Sequence, residues 1–471
     1  LMIHGADNSP ATGDAYQGVY DNLNSSQQLA GGRFRPLSLV SFALEQALIG
    51  NYPSGKPEAG NWDFNHNDRP DPSEDLNRDG LWNEADCILR GAALRHVVNI
   101  ILYVLSGVLL FVLLHKYLIK DAPDLAFIAA LFFLIHPIHT EVVANIKSRD
   151  ELLSLFFIIL TFIGCLSYYD SKKINRLATS LLCFLLALLS KEYALTLLIL
   201  LPSCVTIFRG SSVKQALKTA IPFAGIALAY IAWRVHVVGF GAAHESTEIL
   251  NNPYLLASAE QHWATILFTP LLYLKLLCFP HPLSADYSYA SIAYRDFASP
   301  ELWMSLAIHL GIAAGGVIGL RRRKAWGFAL LFYLLNLALV SNLFIDIGGT
   351  MGERLIYHSS IGFTLLVAMG LLAAVKRWPT TLRTRQLLLG VACATLVLLC
   401  GFQTIRRNAD WKNDVTLFLK DVRTVPNSVL ANGNAGMALI RLADLPDQRP
   451  NREALLGQAL NHLKRSLTLH P

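Results

Sequence analysis

The sequence predicts an all-α polytopic membrane protein, and three observations predict it. Of its 471 residues 53% are hydrophobic and 16% charged, whereas a soluble domain carries about 25% charge. Apolar stretches long enough to enter a bilayer follow one another between residues 95 and 405. Lys and Arg gather in alternate short loops, the pattern that orients spans in a membrane. The net charge of +6 is accounted for by those loops and gives no sign of nucleic-acid binding.

Residues 1–94 read as an external polar region rich in Asn, Asp, Gly and Pro. Within it, Pro36 to Leu48 forms a helix opened by proline at its first turn. It is too short to span, and is expected flat on the membrane or packed on the spans. A transmembrane domain follows over 95–405, with spans at about 95–118, 123–137, 152–169, 174–190, 192–209, 214–238, 301–320, 323–342, 356–376 and 386–405.

Lys116 and Lys120, Lys172 to Arg176, Arg209 to Lys218, Arg321 to Lys324 and Lys376 to Arg385 mark the cytoplasmic loops. Residues Val238 to His262 contain no Lys or Arg and belong outside. Alternation then places 1–94, 138–151, 343–353 and the C-terminal region outside as well. Ala264 to Pro280 breaks the alternation, so a re-entrant or interfacial segment is expected there, with Pro270 and Pro280 as breakers. The same parity suggests a further span before Leu1, and the chain reads as a fragment at both ends.

Residues 406–471 are polar and helical. Ala459, Leu463, Ser466 and Pro471 fit the second helix of a tetratricopeptide repeat, and Gly436 and Leu439 fit the first. One repeat cannot bury its own apolar face, so more repeats are expected to follow. Six of the seven cysteines fall in apolar segments, where cysteine is a small hydrophobe, so no disulfide framework is expected.

Two stretches carry chemistry. From Asp75 to Asp86, oxygen donors fall at positions 1, 3, 5, 9 and 12 of a calcium loop, with Gly80 at the sharp turn. Asp75, Asn77, Asp79, the Leu81 carbonyl, Asn83 and Asp86 are the expected ligands of a structural Ca2+. Asp86 stands where an EF-hand has Glu. Upstream, Asp63 to Glu74 repeats the spacing, but Asp68 replaces the glycine.

The second stretch is His136-Pro-Ile-His-Thr-Glu-Val-Val-Ala-Asn-Ile-Lys-Ser-Arg-Asp150, set between two apolar segments. Charges there need water or a protein cavity, since each costs roughly 3 kcal/mol in lipid. Pro137 and the three-residue spacing of His136 and His139 argue against a zinc pair on one helix face. Glu141 beside the imidazoles suits proton abstraction from a hydroxyl, or holding a divalent ion against a phosphate. Arg149 opens the next helix and is a candidate for phosphate, or for a salt bridge to Asp150 or Glu151. Lys191-Glu192 interrupts two apolar runs. Arg354 and Tyr357 enter a span from outside and suit a lipid-phosphate headgroup. Arg35 precedes the interfacial helix on the same side, and Arg234 lies near the outer end of its span.

His-Pro-Ile-His-Thr-Glu (136–141), Arg-Pro-Leu (35–37), Ser-Lys-Glu (190–192), Glu-Arg-Leu-Ile-Tyr (353–357) and the terminal repeat together resemble the transmembrane and tetratricopeptide-repeat-containing O-mannosyltransferases, in a bacterial-looking form. The resemblance implies a GT-C-like helical bundle with an extracytoplasmic first loop, in a multi-pass protein of a bacterial inner membrane. It implies transfer of a sugar, mannose in the animal members, from a polyprenyl-phosphate donor to Ser or Thr of a protein on the non-cytoplasmic face. Glu141, His139 and His136 are the implied catalytic residues. Arg354, Tyr357, Arg149, Arg35 and Lys191 are the implied donor-phosphate contacts, with a catalytic divalent metal as an option. The repeats would hold the acceptor or a partner.

The calcium-like insert lies outside the family pattern. The acidic pair that the family carries before Arg-Pro-Leu has no match in Asp7, Asp14 or Asp21, and is expected upstream of Leu1. A GT-C enzyme acting on a glycan or lipid, and a non-enzymatic scaffold, are the alternatives. Polar groups crowded at one face argue against a transporter.

Overall fold

The computed structural model describes residues 34–49, 84–238, 249–250, 252–344, 347–377 and 381–470, the side chains of 49, 84–90, 238, 446 and 447 aside. Every regular element among them is helical. Helix α1 spans Pro36–Ile49 and α2 spans Glu84–Val112, running on as a π-helical turn at Leu113–Leu118. Then follow α3 (Pro123–Ile135), α4 (Thr140–Ala144), α5 (Arg149–Ser171), α6 (Ile174–Ser190), α7 (Leu197–Arg209) and α8 (Val213–Val238). After these come α9 (Ala259–Cys278), α10 (Pro300–Arg321), α11 (Ala325–Ala338), α12 (Ser360–Arg377) and α13 (Leu382–Asp410). The C-terminal region adds α14 (Asp414–Thr424), α15 (Val429–Ala443) and α16 (Arg452–Leu469).

Seven helices among the described residues are long and apolar enough to cross a membrane, or eight if the pair bent by 49° at Pro123–Ile135 and Pro137–Ala144 counts as one span. This is an integral multi-pass membrane protein. Ten spans were expected, and each lies on a helix, but α6 and α11 have 17 and 14 residues and α3 has 13. At 1.5 Å per residue these helices fall short of a hydrocarbon core about 30 Å thick. Each starts at one face of the bundle and stops before the other. Their ends therefore lie below the second face, where irregular backbone is tolerated only inside protein.

The first face carries the basic loops. Arg209 there binds Asp170 at 2.6 and 2.8 Å and the Tyr117 carbonyl at 2.8 Å. The second face carries the polar stretches singled out above. The core lies between α2, α3, α5, α7, α11 and α12, around Phe133, Phe162, Leu200 and Phe332.

Helix α1 rests on this second face in an unusual sense. Ser38 and Glu45 are buried against the bundle, while Val40, Leu44 and Leu48 point outward. A soluble amphipathic helix would be turned the other way, and this orientation suits a helix lying between protein and lipid.

The re-entrant segment expected at Ala264 to Pro280 is instead one continuous helix, α9. Pro270 does not break it, and Ser258 and Gln261 cap its start reciprocally. Its two ends both meet the second face. Glu260 accepts from the Phe297 amide at 3.0 Å, and the Pro280 carbonyl accepts from Gln403 at 3.3 Å.

In the C-terminal region α15 and α16 pack antiparallel. Ala459 and Leu439 are buried, Gly436 sits against Leu463, and Ser466 donates to the Val429 carbonyl at 2.9 Å. The described positions of the expected repeat pack as a helical hairpin, and Pro471 lies outside the described residues.

Candidate functional site: a buried charge network at one membrane face

Pro137 builds the centre of the site. It holds His136 in extended backbone and ends α3. A 3-10 turn, the short helix α4 and a second turn capped by Asn145 then lead into α5. Arg149, Asp150 and Glu151 occupy the first turn of α5, all buried in protein. The two carboxylates sit where a helix dipole favours negative charge.

Residues far apart in sequence close on this turn as ion pairs. Arg35 binds Asp150, and Lys191 binds Glu151. Lys191 stands in extended backbone in the break after α6, with its ammonium 5.1 Å from the centre of the Tyr193 ring. His358 lies 3.4 Å from the other oxygen of Glu151 and stacks on Tyr193 at 3.9 Å. Glu141 holds Arg354 twice, accepting from Nη1 at 2.8 Å and from the backbone N–H at 2.9 Å. Arg234 approaches Glu192 at 3.8 Å.

Asp150 lies in the combined field of Arg35, Lys191 and Arg354. Burial opposes the charge of Arg354, but Glu141, Asp150 and Glu151 outweigh it and hold the guanidinium charged. The Arg354 side chain remains 35% exposed and that of Arg35 23%. These cations can meet an anion at the face while carboxylates hold them from below.

Four expected site residues take other roles. Arg149 is fully buried and saturated: it binds Asn99 at 2.9 Å, Glu45 at 2.5 Å and the Arg95 carbonyl at 2.8 Å, and covers the Phe42 ring at 4.3 Å. It fastens α1 to the bundle, and neither a phosphate nor Asp150 is its partner. His136 accepts from the Ile138 amide through Nδ1 and meets the Leu277 carbonyl through Nε2 at 2.9 Å. His139 is bound to Tyr103 at 3.0 Å and Ser360 at 2.9 Å. Both ring nitrogens of each histidine are engaged inside the core, where they brace the bend after α3. Tyr357 is buried among Phe133, His139 and Tyr103, away from any headgroup.

Each Glu141 oxygen accepts one hydrogen bond from Arg354, so Glu141 positions that arginine. Sequence reasoning missed Glu45, Asn99, Glu151 and His358 as members of the network. Glu45 did leave a signal, since a lone carboxylate in an apolar helix demands a partner.

Asp75 to Asn83 lie outside the described residues, and Asp86 falls in the first turn of α2. Among the described residues no three His, Cys, Asp or Glu side chains cluster as metal ligands.

Beside Arg354, Glu353 begins a second network. It accepts from the Ser284 amide at 2.5 Å and from the Tyr287 hydroxyl at 2.9 Å. Arg407, near the end of α13, lies 3.8 Å from its second oxygen, 3.3 Å from Asp410 and 4.0 Å from Asp421 on α14. Asp421 accepts from Ser284 Oγ at 3.1 Å and from the Ala285 amide at 3.0 Å. Burial pushes the Glu353 carboxyl up to about 8 and that of Asp421 up to about 6, against the pull of Arg407 in both cases.

Curated relatives share much of this chain. A protein O-mannosyl-transferase of Caenorhabditis elegans is 29% identical over 73% of the chain and 47% of its own length. Protein O-mannosyl-transferase TMTC3 of Mus musculus is 27% identical over 73% of the chain and 40% of its own length. Protein O-mannosyl-transferase TMTC1 of Homo sapiens is 24% identical over 80% of the chain and 45% of its own length. The chain thus spans about half the length of the curated relatives it matches. No family model matches the chain, and no solved structure does. Over about three quarters of its length, this chain resembles the transmembrane and tetratricopeptide-repeat-containing protein O-mannosyl-transferases.

Proposed function

We propose that this chain is the membrane part of a glycosyltransferase that moves a sugar, mannose by analogy with its relatives, from a polyprenyl phosphate to a Ser or Thr hydroxyl on the non-cytoplasmic side of a bacterial inner membrane. The observation that carries the reading is the convergence of Arg35, Lys191 and Arg354 around Asp150, with the Arg354 side chain 35% exposed at the face. A phosphate monoanion or dianion would meet these cations with its lipid tail alongside α1, whose Val40, Leu44 and Leu48 face outward.

In the transfer the acceptor oxygen bonds to the anomeric carbon as the bond to the phosphate oxygen breaks. The phosphate leaves with the bonding electrons, and the hydroxyl proton passes to a base. Arg354, Lys191 and Arg35 stabilise the departing charge, and donors fixed in advance by carboxylates need little reorganisation as that charge develops. Glu141, Asp150 and Glu151 each already face a cation, so we assign the base to a different carboxylate. Asp75, Asn77, Asp79, Leu81, Asn83 and Asp86 would hold a structural Ca2+ through oxygen donors, and the C-terminal helical hairpin would begin a repeat surface for the acceptor.

The test uses the full-length protein in lipid nanodiscs with polyprenyl-phosphate mannose and Ser/Thr peptides. Arg354→Ala is expected to lower kcat/KM by about 100-fold or more, and Glu141→Gln by a smaller factor, with insertion unchanged. Wild-type turnover in both variants would overturn the site. Transfer to a glycan or lipid acceptor in place of peptide would overturn the acceptor class.

A further inference from the structure

We propose that Glu353, Arg407 and Asp421 are positioning residues that tie the placement of Arg354 to the first helix of the C-terminal region. The coupling itself is structural, and its catalytic consequence rests on the reading of Arg354 given above.

The geometry runs through one short path. Arg354 is fixed on one side by Glu141, through its guanidinium and its own backbone N–H. The adjoining residue, Glu353, is fixed on the other side by the loop that carries Ser284 and Tyr287. That same loop is held by the C-terminal region. Asp421 on α14 takes Ser284 Oγ and the Ala285 amide, and Ser428, at the start of α15, donates to Asp286. Ser284 therefore bonds Glu353 through its amide and Asp421 through its hydroxyl. The hydrogen bonds thus form one continuous path from the site to α14.

Arg407 sits at its centre. It is 2% exposed, lies over the Trp411 ring at 5.7 Å and faces Glu353, Asp410 and Asp421 together. Its contacts to Glu353 and Asp421 are long, at 3.8 and 4.0 Å. Arg407 Nε and Nη2, Glu353 Oε2 and Asp421 Oδ2 are buried and hydrogen-bond to no protein atom. A buried arginine shared loosely among acids can redistribute among them at small displacement, because each pairing strengthens as another lengthens. A shift of α14, such as an acceptor on the C-terminal helices would impose, thus reaches Glu353 and the peptide bond that carries Arg354. Direct contact with the acceptor's reacting atoms is not required of any of the three.

Hydrogen exchange of the Arg354 amide tests the coupling without an activity assay, since that N–H is bonded to Glu141. In nanodiscs, Asp421→Ala should raise its exchange rate at least tenfold while α15 and α16 keep wild-type protection. Asp421→Asn keeps an acceptor for Ser284 and Ala285 and should give a smaller rise; it also serves if the alanine variant does not fold. Wild-type protection of Arg354 in a folded Asp421 variant overturns the proposal. In transfer assays the same variants should lower kcat about tenfold with acceptor KM within twofold, and Arg407→Lys should lose less than Arg407→Ala. A loss confined to KM would make Asp421 an acceptor contact and overturn the positioning role. A wild-type protein that transfers nothing would remove the reaction and leave the exchange result standing.

Discussion

Arg149 shows how a residue can be legible as important and misread as to why. A lone guanidinium opening an apolar helix must be neutralised, and its partner turned out to be Glu45, more than a hundred positions earlier. Removing one partner of a buried pair leaves an uncompensated charge and costs about 3–5 kcal/mol. Arg149→Ala is expected to lower thermal stability by that order and to release α1 from the bundle. Fluorescence unfolding in detergent measures the first and proteolysis at α1 the second. Unaltered stability would mean that Arg95, already 3.9 Å from Glu45, neutralises it alone. Arg354 and Glu141 were foreseen to share a pocket, and they are in contact. For the histidines of the same motif, sequence spacing cannot tell an imidazole that faces a ligand from one that braces a bend. Their partners, Leu277, Tyr103 and Ser360, come from three other elements.

At the scale of elements, helix existence followed from apolar runs, and helix ends followed from proline and charge. Pro137 ends α3 two residues before the expected limit of that span, whereas Pro270 sits inside α9 unbroken because packing sustains the helix around it. Close helix contacts are a further property that the apolar pattern hides. A Cβ on Gly362 would lie 2.3 Å from the Ala329 carbonyl oxygen of α11, while one on Gly370 of the same helix would meet no atom within 4 Å. Gly362→Ala should therefore destabilise by about 1–3 kcal/mol through overpacking. Gly370→Ala should be neutral or slightly stabilising, as alanine is the better helix former. Equal melting temperatures for the two variants would show that α11 and α12 separate at no cost.

At the scale of the whole molecule, the joint between the bundle and the C-terminal helices carries a pH dependence. Glu353 is raised from 4.5 to about 8 in the folded protein, mainly by burial, with Arg407, Glu141, Tyr287 and the Ser284 amide facing it. Over that interval the folded state binds the proton more tightly than the unfolded state. The stability it contributes is complete below about 4.5 and is lost as pH rises through about 8, at no more than about 1.4 kcal/mol per pH unit. Melting temperature should fall between those limits in the wild type, and Glu353→Gln should flatten the slope. Identical slopes would assign the dependence to other groups.

The sequence by itself determined that this is a helical membrane protein, where most of its helices lie, which face collects its polar groups, and which relatives it resembles. Those properties follow from local quantities: hydropathy per segment, the side on which basic residues fall, and short motifs. Tertiary structure alone decided which charge meets which. Asp150, Glu151, Glu45 and Glu353 each meet a cation from a distant part of the chain, and the short α3, α6 and α11 set the depth at which they do so. Ion pairing over a few ångströms depends on the packing of the entire bundle, and no local pattern encodes it.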